Sequence, residues 1–289
     1  MGDAVRIAGF VKTTLQDWEG KNACMILLAG CNFRCPYCNR PELVGVPEES
    51  IDTSSILDYI KGNKDFLEAV VISGGEPTIH EDLYKLIGDL RKLKLKVKLD
   101  TNGSNPDLLD DLIGAKLVDK VCINIMAPLD PASYSKAAGM DVDVELIKKS
   151  LDILKGSGVS YEIRTVAVPG IIGHDSLKAM LNGLDGSESL IIQQFDGRNV
   201  SGAMKDLKPY PKPVLVKMAE TCATGRSWGS VIFHRICHSL AASMRAASYM
   251  LGLIFCSALM KRMTGMPVNQ RMALMFSKTP AKAPARTRE

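Results

Sequence analysis

Three cysteines within eight residues set the strongest constraint on this chain. Cys31, Cys35 and Cys38 lie in the string Gly30-Cys31-Asn32-Phe33-Arg34-Cys35-Pro36-Tyr37-Cys38, directly after the apolar run Met25-Ile26-Leu27-Leu28-Ala29. Thiolates are soft ligands that suit iron–sulfur clusters and zinc. Pro36 interrupts any helix through the string and Gly30 permits a turn into it, so the segment reads as a loop wrapped around a ligand. A four-iron cluster takes four thiolates, so three leave one iron open to other chemistry. Zinc held by three cysteines and a fourth ligand from elsewhere is the competing reading. Zinc sites commonly combine two C-x2-C pairs, and no second pair occurs here, which favours the cluster. The opening residues Met1-Gly2-Asp3-Ala4-Val5-Arg6 lack the layout of a leader, and the eight cysteines fit a reducing cytoplasm better than disulfides.

The cysteine loop sits inside a regular alternation of strand and helix patterns. Residues 5–10 alternate as a short strand. Apolar runs at 24–29, 67–73, 95–99, 118–125, 161–168 and 190–195 read as buried parallel strands. Helical patterns separate them. One spans 51–61 with Asp52 or Thr53 as its cap. A second follows the capping-box pair Thr78 and Glu81, and a third is capped by Asn105 with Pro106 in the first turn. Others run from Val144 to a stop at Gly156, over 175–181 and over 214–221. Six β–α units predict an α/β fold, a partial (β/α)6 barrel of the TIM type, over residues 1–222. The polar loops all follow strand carboxyl ends, the face on which such barrels build their sites.

Cys31-x3-Cys35-x2-Cys38, with Tyr37 before the last cysteine, resembles the signature of the radical S-adenosylmethionine (SAM) superfamily. The longer string resembles the branch that activates glycyl-radical enzymes, and within it the anaerobic ribonucleoside-triphosphate reductase activating proteins. The resemblance covers about residues 4–220. It implies a [4Fe–4S] cluster on Cys31, Cys35 and Cys38, with SAM on the open iron and Tyr37 near the adenine. It implies reductive cleavage of SAM to a 5′-deoxyadenosyl radical, which takes a hydrogen atom from a backbone glycine of a partner, anaerobic ribonucleotide reductase. A one-electron donor such as flavodoxin or ferredoxin is implied as well. Two alternatives stand beside this reading. One is a radical SAM reaction on a small molecule, as in 7-carboxy-7-deazaguanine synthases. The other is a non-catalytic cluster- or zinc-binding module.

The same resemblance assigns roles to the other loops. Gly74-Gly75-Glu76-Pro77 is similar to the loop that meets the SAM amino group, chiefly by backbone carbonyls of Gly74, Gly75 and Glu76. Asp100-Thr101-Asn102-Gly103 is similar to a loop that reaches the ribose or carboxylate side through Asp100 and Asn102. Asn124-Ile125-Met126 departs from the Asp-x-Lys of similar proteins. Asn124 retains hydrogen bonding, while Met126 lacks the cation, a loss of roughly 1.5–3 kcal/mol for a desolvated charge-assisted contact. Arg164 lies in a strand-like run and either points into the barrel towards an anionic ligand or is exposed at an edge. Of Gln193 and Gln194, one faces the cavity, and Gln193 is the candidate. His80 and His174, at helix starts, read as solvated.

Charge marks a second segment. Residues 223–289 hold ten of the 36 Lys and Arg but one of the 32 Asp and Glu. This basic tail also carries half of the 14 methionines and has no counterpart in the resembled family. Its apolar stretch 246–260 is short of the roughly 20 residues of a membrane span, which leaves an interfacial helix on anionic lipid as one reading. A nucleic-acid contact has no motif to support it, and none is expected. A change of reading frame near codon 222 explains the break in style best, since the family's closing strand is not evident after residue 222.

Overall fold

The computed structural model describes residues 5–47, 49–184, 190–200, 202–222 and 231–234. The readings of the tail beyond residue 234 (interfacial helix, nucleic-acid contact, change of frame) fall outside the described residues.

The apolar runs form one eight-stranded sheet whose strands follow sequence order. β1 (Ile7–Thr14) pairs antiparallel with β2 (Ala23–Leu28). β2, β3 (Ala69–Gly74), β4 (Lys96–Thr101), β5 (Lys120–Asn124), β6 (Ser160–Ala167), β7 (Leu190–Gln194) and β8 (Val231–His234) are parallel. The helices between them are α1 (Thr53–Gly62), α2 (Leu83–Lys92), α3 (Pro106–Gly114), α4 (Pro131–Ala138), α5 (Val144–Ser157), α6 (His174–Gly183) and α7 (Lys212–Cys222). This is the expected partial barrel; among the described residues no strand joins its edge strands β1 and β8. β8 adds a seventh parallel strand to the six expected and carries the sheet past residue 222. Its apolar triplet Val231-Ile232-Phe233 is too short to stand out in a basic, loop-like context.

Local chemistry explains the helix ends. Asp52 caps α1 by accepting from Ser54 N at 3.2 Å, and Asn105 caps α3 ahead of Pro106 by accepting from Leu108 N at 3.2 Å. Two expected boundaries move. The Thr78–Glu81 capping box does not form, because Glu76 accepts the Thr78 hydroxyl proton and Thr78 enters a single 3-10 turn, Pro77–Ile79. α5 stops at Gly158 rather than Gly156, since Gly158 takes the left-handed conformation, φ 71°, that ends a helix.

Alternation along the strands gives the sheet two unlike faces. Ile26, Leu28, Val70, Ile72, Val97, Leu99, Val121, Ile123, Ile163, Leu190 and Ile192 join the helices in the main core. On the inner face, Ala23, Met25, Ala69 and Val71 form a separate small cluster with Trp18. Trp18 belongs to the β1–β2 connection, at the end of β2 away from the cysteine loop. The connection at 15–22 therefore plugs the barrel floor with its single aromatic ring. β4 and β6 line the same lumen with charge. Lys98 is fully buried, donates to Glu162 Oε1 at 2.8 Å and to the Asp17 carbonyl at 2.6 Å, and lies 3.5 Å from Asp100 Oδ1. Glu162 also accepts from Lys120 at 2.7 Å and from Arg164.

Burial alone would push the Glu162 carboxyl up, but Arg164, Lys98 and Lys120 outweigh it and hold the group at about 2 instead of 4.5. A depressed carboxyl stabilises the fold above its unfolded-state value and loses that contribution as pH falls towards the folded-state value. Stability to urea should therefore drop between pH 4.5 and about 2 through this group. Glu162→Ala should lower the unfolding free energy at pH 7 by about 3–5 kcal/mol, since it leaves buried cations uncompensated, and should flatten the acid limb. Denaturation midpoints measured across that pH range check both outcomes.

Candidate functional site

The cysteine loop leaves β2 at Leu28 and is held from several sides. Gly75 N donates to Leu28 O at 2.9 Å, Glu76 N to Gly30 O at 2.8 Å, and Gly30 N to Leu43 O at 2.8 Å. Arg34 N donates to Ala138 O at 2.8 Å, which ties the loop to the end of α4. Cys38 N closes a tight turn on Cys35 O at 3.1 Å. The fit is close enough to dictate glycines. A β-carbon on Gly75 would lie 2.0 Å from Gly30 O, and one on Gly139 would lie 2.0 Å from Arg34 O. Gly74, at φ 133°, would place one 2.2 Å from Leu28 O. The close approach that Gly74-Gly75 permits is thus first of all an approach to the cysteine loop itself.

Glu76 is the hub beneath this loop. It is buried, and its carboxylate accepts from Thr78 N at 3.1 Å, Thr78 Oγ1 at 2.6 Å, Thr101 Oγ1 at 2.6 Å and Asn102 N at 2.6 Å. Burial pushes its carboxyl up, and these four donors oppose that. Asn102 then extends the chain of contacts: its Nδ2 donates to Asn32 Oδ1 at 2.8 Å, and Asn32 Nδ2 donates to Ser104 Oγ at 2.8 Å. The side chains of Glu76 and Asn102 are therefore engaged in joining the loops after β2, β3 and β4. His80, expected in solvent, is buried and donates from Nε2 to Ala29 O at 2.8 Å, immediately before the cysteine string. The 3-10 turn folds its ring back under the loop. His174, expected in solvent, is half-buried at the start of α6, with its Nε2 2.9 Å from Thr221 Oγ1.

The remaining expected residues occupy two levels. Asn124, at the end of β5, donates to Thr101 O at 3.4 Å. Tyr37 is buried, with its hydroxyl donating to Met126 O at 3.3 Å and 3.6 Å from Met126 Sδ. Asp100 and Arg164 line the charged part of the lumen, so Arg164 is an interior residue rather than an edge one. Asp100 Oδ1 and Arg164 Nε have no hydrogen-bond partner there. Sheet register orients β7. Arg164 pairs with Ile191, so Gln193 two residues on shares the lumen face, while Gln194 donates outward to Tyr210 O at 2.8 Å. Sequence reasoning missed Asn32, Thr78, Thr101 and Tyr134. Lys98 and Glu162 carried a usable signal, as charges at alternate positions in apolar strands.

The donor set fits an iron–sulfur cluster on its chemistry. Three half-buried thiols sit on one loop at the barrel mouth, close enough for Cys38 to act electrostatically on Cys31 and Cys35. Burial first, with the Glu76 carboxylate and the neighbouring thiols adding to it, pushes Cys31 to about 11 and Cys35 to about 12, and a bound cationic centre would favour the thiolates instead. Among the described residues, no three His, Cys, Asp or Glu side chains converge on a single-ion position.

A parallel partial barrel with a three-thiolate loop at the carboxyl end of its first parallel strand defines a cluster-binding barrel protein. The family model of the radical SAM superfamily matches residues 25–180. The "Putative glycyl-radical enzyme activating enzyme MJ1227" of Methanocaldococcus jannaschii is 32% identical over 213 residues, 71% of this chain and 86% of that protein. The 7-carboxy-7-deazaguanine synthase of Aquifex aeolicus is 34% identical over 85 residues, 29% of this chain and 38% of that protein. Among solved structures, Streptococcus suis SuiB bound to S-adenosylmethionine aligns with a TM-score of 0.57 at 18% identity, over 75% of this chain and 53% of that one. It shares the fold, and this chain spans about half its length. The chain belongs to the radical SAM superfamily, whose cofactors are a [4Fe–4S] cluster and SAM.

Two substitutions test the loop clamp. Gly75→Ala should displace Gly30 and lose most of the iron bound after anaerobic reconstitution, with the circular-dichroism spectrum retained. Glu76→Ala should cost about 1–3 kcal/mol for each buried donor it leaves unpaired, read from thermal unfolding.

Proposed function

We propose that this chain is an activating enzyme that generates a glycyl radical on a partner enzyme, anaerobic ribonucleoside-triphosphate reductase, in the cytoplasm. The observation that carries this reading is the extent of similarity. It runs over 86% of the M. jannaschii activating-type protein but over only 38% of the deazaguanine synthase. The chain has no helix, among the described residues, long and apolar enough to cross a membrane.

Cys31, Cys35 and Cys38 would hold the cluster. Bound there, the cluster and SAM would supply one-electron cleavage of SAM to a 5′-deoxyadenosyl radical, the electron coming from a donor such as flavodoxin or ferredoxin. The protein's own residues orient and enclose. Backbone carbonyls of Gly74, Gly75 and Glu76 would meet the SAM amino group beside the cysteine loop, and the Glu76 carboxylate fixes that backbone. Tyr37 closes one wall, towards the adenine. Asn102 and Asn124 line the mouth on the ribose side. Asp100 Oδ1 and Arg164 Nε, which make no hydrogen bond within the protein, would offer an acceptor and a donor to polar groups entering from above, and Gln193 adds an amide on the neighbouring strand β7. The apolar half of the lumen, from Met25 to Val71 over Trp18, excludes water from the floor.

The test is a reconstituted, dithionite-reduced chain given SAM, first alone and then with the reductase. Release of 5′-deoxyadenosine, absent in Cys31→Ala, Cys35→Ala and Cys38→Ala, is the expected first result. A glycyl-radical doublet on the reductase in electron paramagnetic resonance is the expected second. Cleavage of SAM without the doublet would move the chain to the small-molecule reading. A full cluster without cleavage would leave it a binding module.

A further inference from the structure

Met126 lies two residues past the end of β5, where the resemblance calls for the lysine of Asp-x-Lys. The structure builds this residue into the site. Its backbone N–H donates to Tyr134 Oη at 3.4 Å, and Tyr134 is fully buried against Phe33 of the cysteine string, ring centroids 6.4 Å apart. Its carbonyl accepts from Tyr37 at 3.3 Å. Two tyrosines therefore grip the backbone on either side of the side chain. The thioether that results is not a surface substitution. Its Sδ stands 3.8 Å from Cys35 Sγ, the atom that would bind iron, and 3.6 Å from Tyr37 Oη.

We propose that Met126 is a positioning residue for the iron–sulfur centre, its thioether packed on the sulfur of Cys35 so that this ligand has a neutral, polarisable neighbour in place of a cation. The electrostatic consequence follows from charge alone. A cluster's reduced form carries one more negative charge than its oxidised form, and a nearby ammonium stabilises the reduced form more. The potentials of such clusters follow local charge and the contacts to their sulfurs. A thioether at this place leaves the reduced form less stabilised than a lysine would. It also keeps the packing of Tyr37 and Cys35 that a longer, hydrated side chain would open. The proposal depends on the cluster assignment and not on the identity of the glycyl-radical partner.

The experiment compares the full chain with Met126→Leu and Met126→Lys, each reconstituted anaerobically and assayed for iron and sulfide. Wild-type and Met126→Leu protein are also produced with 77Se-selenomethionine. The expected results are a 77Se hyperfine coupling on the reduced cluster of the wild type that disappears in Met126→Leu, and a midpoint potential that moves upward in Met126→Lys. Met126→Leu keeps the volume and folds in the same packing, so the selenium signal decides the matter even where the lysine variant fails to assemble. A full wild-type cluster without 77Se coupling would overturn the proposal, as would a potential unchanged in an assembled Met126→Lys. A wild type that takes up no iron would bring down the cluster assignment and this proposal with it, and the iron assay tells the two failures apart.

Discussion

The carboxylate of Glu76 is the contact on which the site depends. Three loops emerge from three different strands, and the two after β3 and β4 are short and polar. None has a hydrophobic core of its own to fix it. A single buried acceptor with four donors solves this. It takes one backbone N–H and one hydroxyl from its own turn at Thr78, and one of each from the next loop at Thr101 and Asn102. Hydrogen bonds to a charged group are stronger than neutral ones, and a buried carboxylate left without them would be expensive. The arrangement is therefore all-or-none. Closure of the loops after β3 and β4 buries Glu76 only with its four donors in place, since a closed arrangement without them would hold an uncompensated carboxylate. The glycines at 74 and 75 are the steric counterpart, because they let this clamp reach the cysteine loop through Leu28 and Gly30.

The lumen below shows a second division of labour. Its β2–β3 side is apolar and sealed by Trp18; its β4–β6 side is ionic. Buried ion pairs are weak evidence for stability in themselves, since desolvation cancels most of their attraction. Their value here is geometric. Lys98 reaches from β4 across β5 to Glu162 on β6 and down to the Asp17 carbonyl in the floor loop, so one ammonium fixes the floor loop and two nonadjacent strands. Arg164 is held by Glu162 from beneath while its Nε remains without a partner.

Much of this was legible in the sequence, for reasons that differ by residue. Continuous apolar runs ending in polar loops located β2 to β7 because a parallel sheet is buried on both faces. The three cysteines were legible because few other structures put thiols at that spacing. What stayed hidden was partnership. Glu76, Asn102 and Asn32 are common loop residues, and only the fold reveals that they bond one another. Thr78 satisfied the letter of a capping box, yet tertiary competition from Glu76 took its hydroxyl. His80 looked like a solvated histidine because nothing in the sequence brings Ala29, 51 residues away, beneath its ring. β8 was hidden by length, as three apolar residues predict little until β7 offers them an edge.

That edge bears on what the barrel can admit. In a closed barrel the interior is filled by layers of side chains and the site is reached only from the mouth. Among the described residues the antiparallel β1 occupies the outer edge of β2 and the parallel series ends at β8, so these strands keep two edges and do not close a ring. A substrate entering such a barrel meets the cysteine loop on one side and the ionic strands β4 to β6 on the other. A compact small molecule needs only the mouth. An extended segment of another protein needs a lateral opening as well, since its chain must enter and leave. Among the described residues the ring of strands is incomplete, so the fold is compatible with either class of substrate.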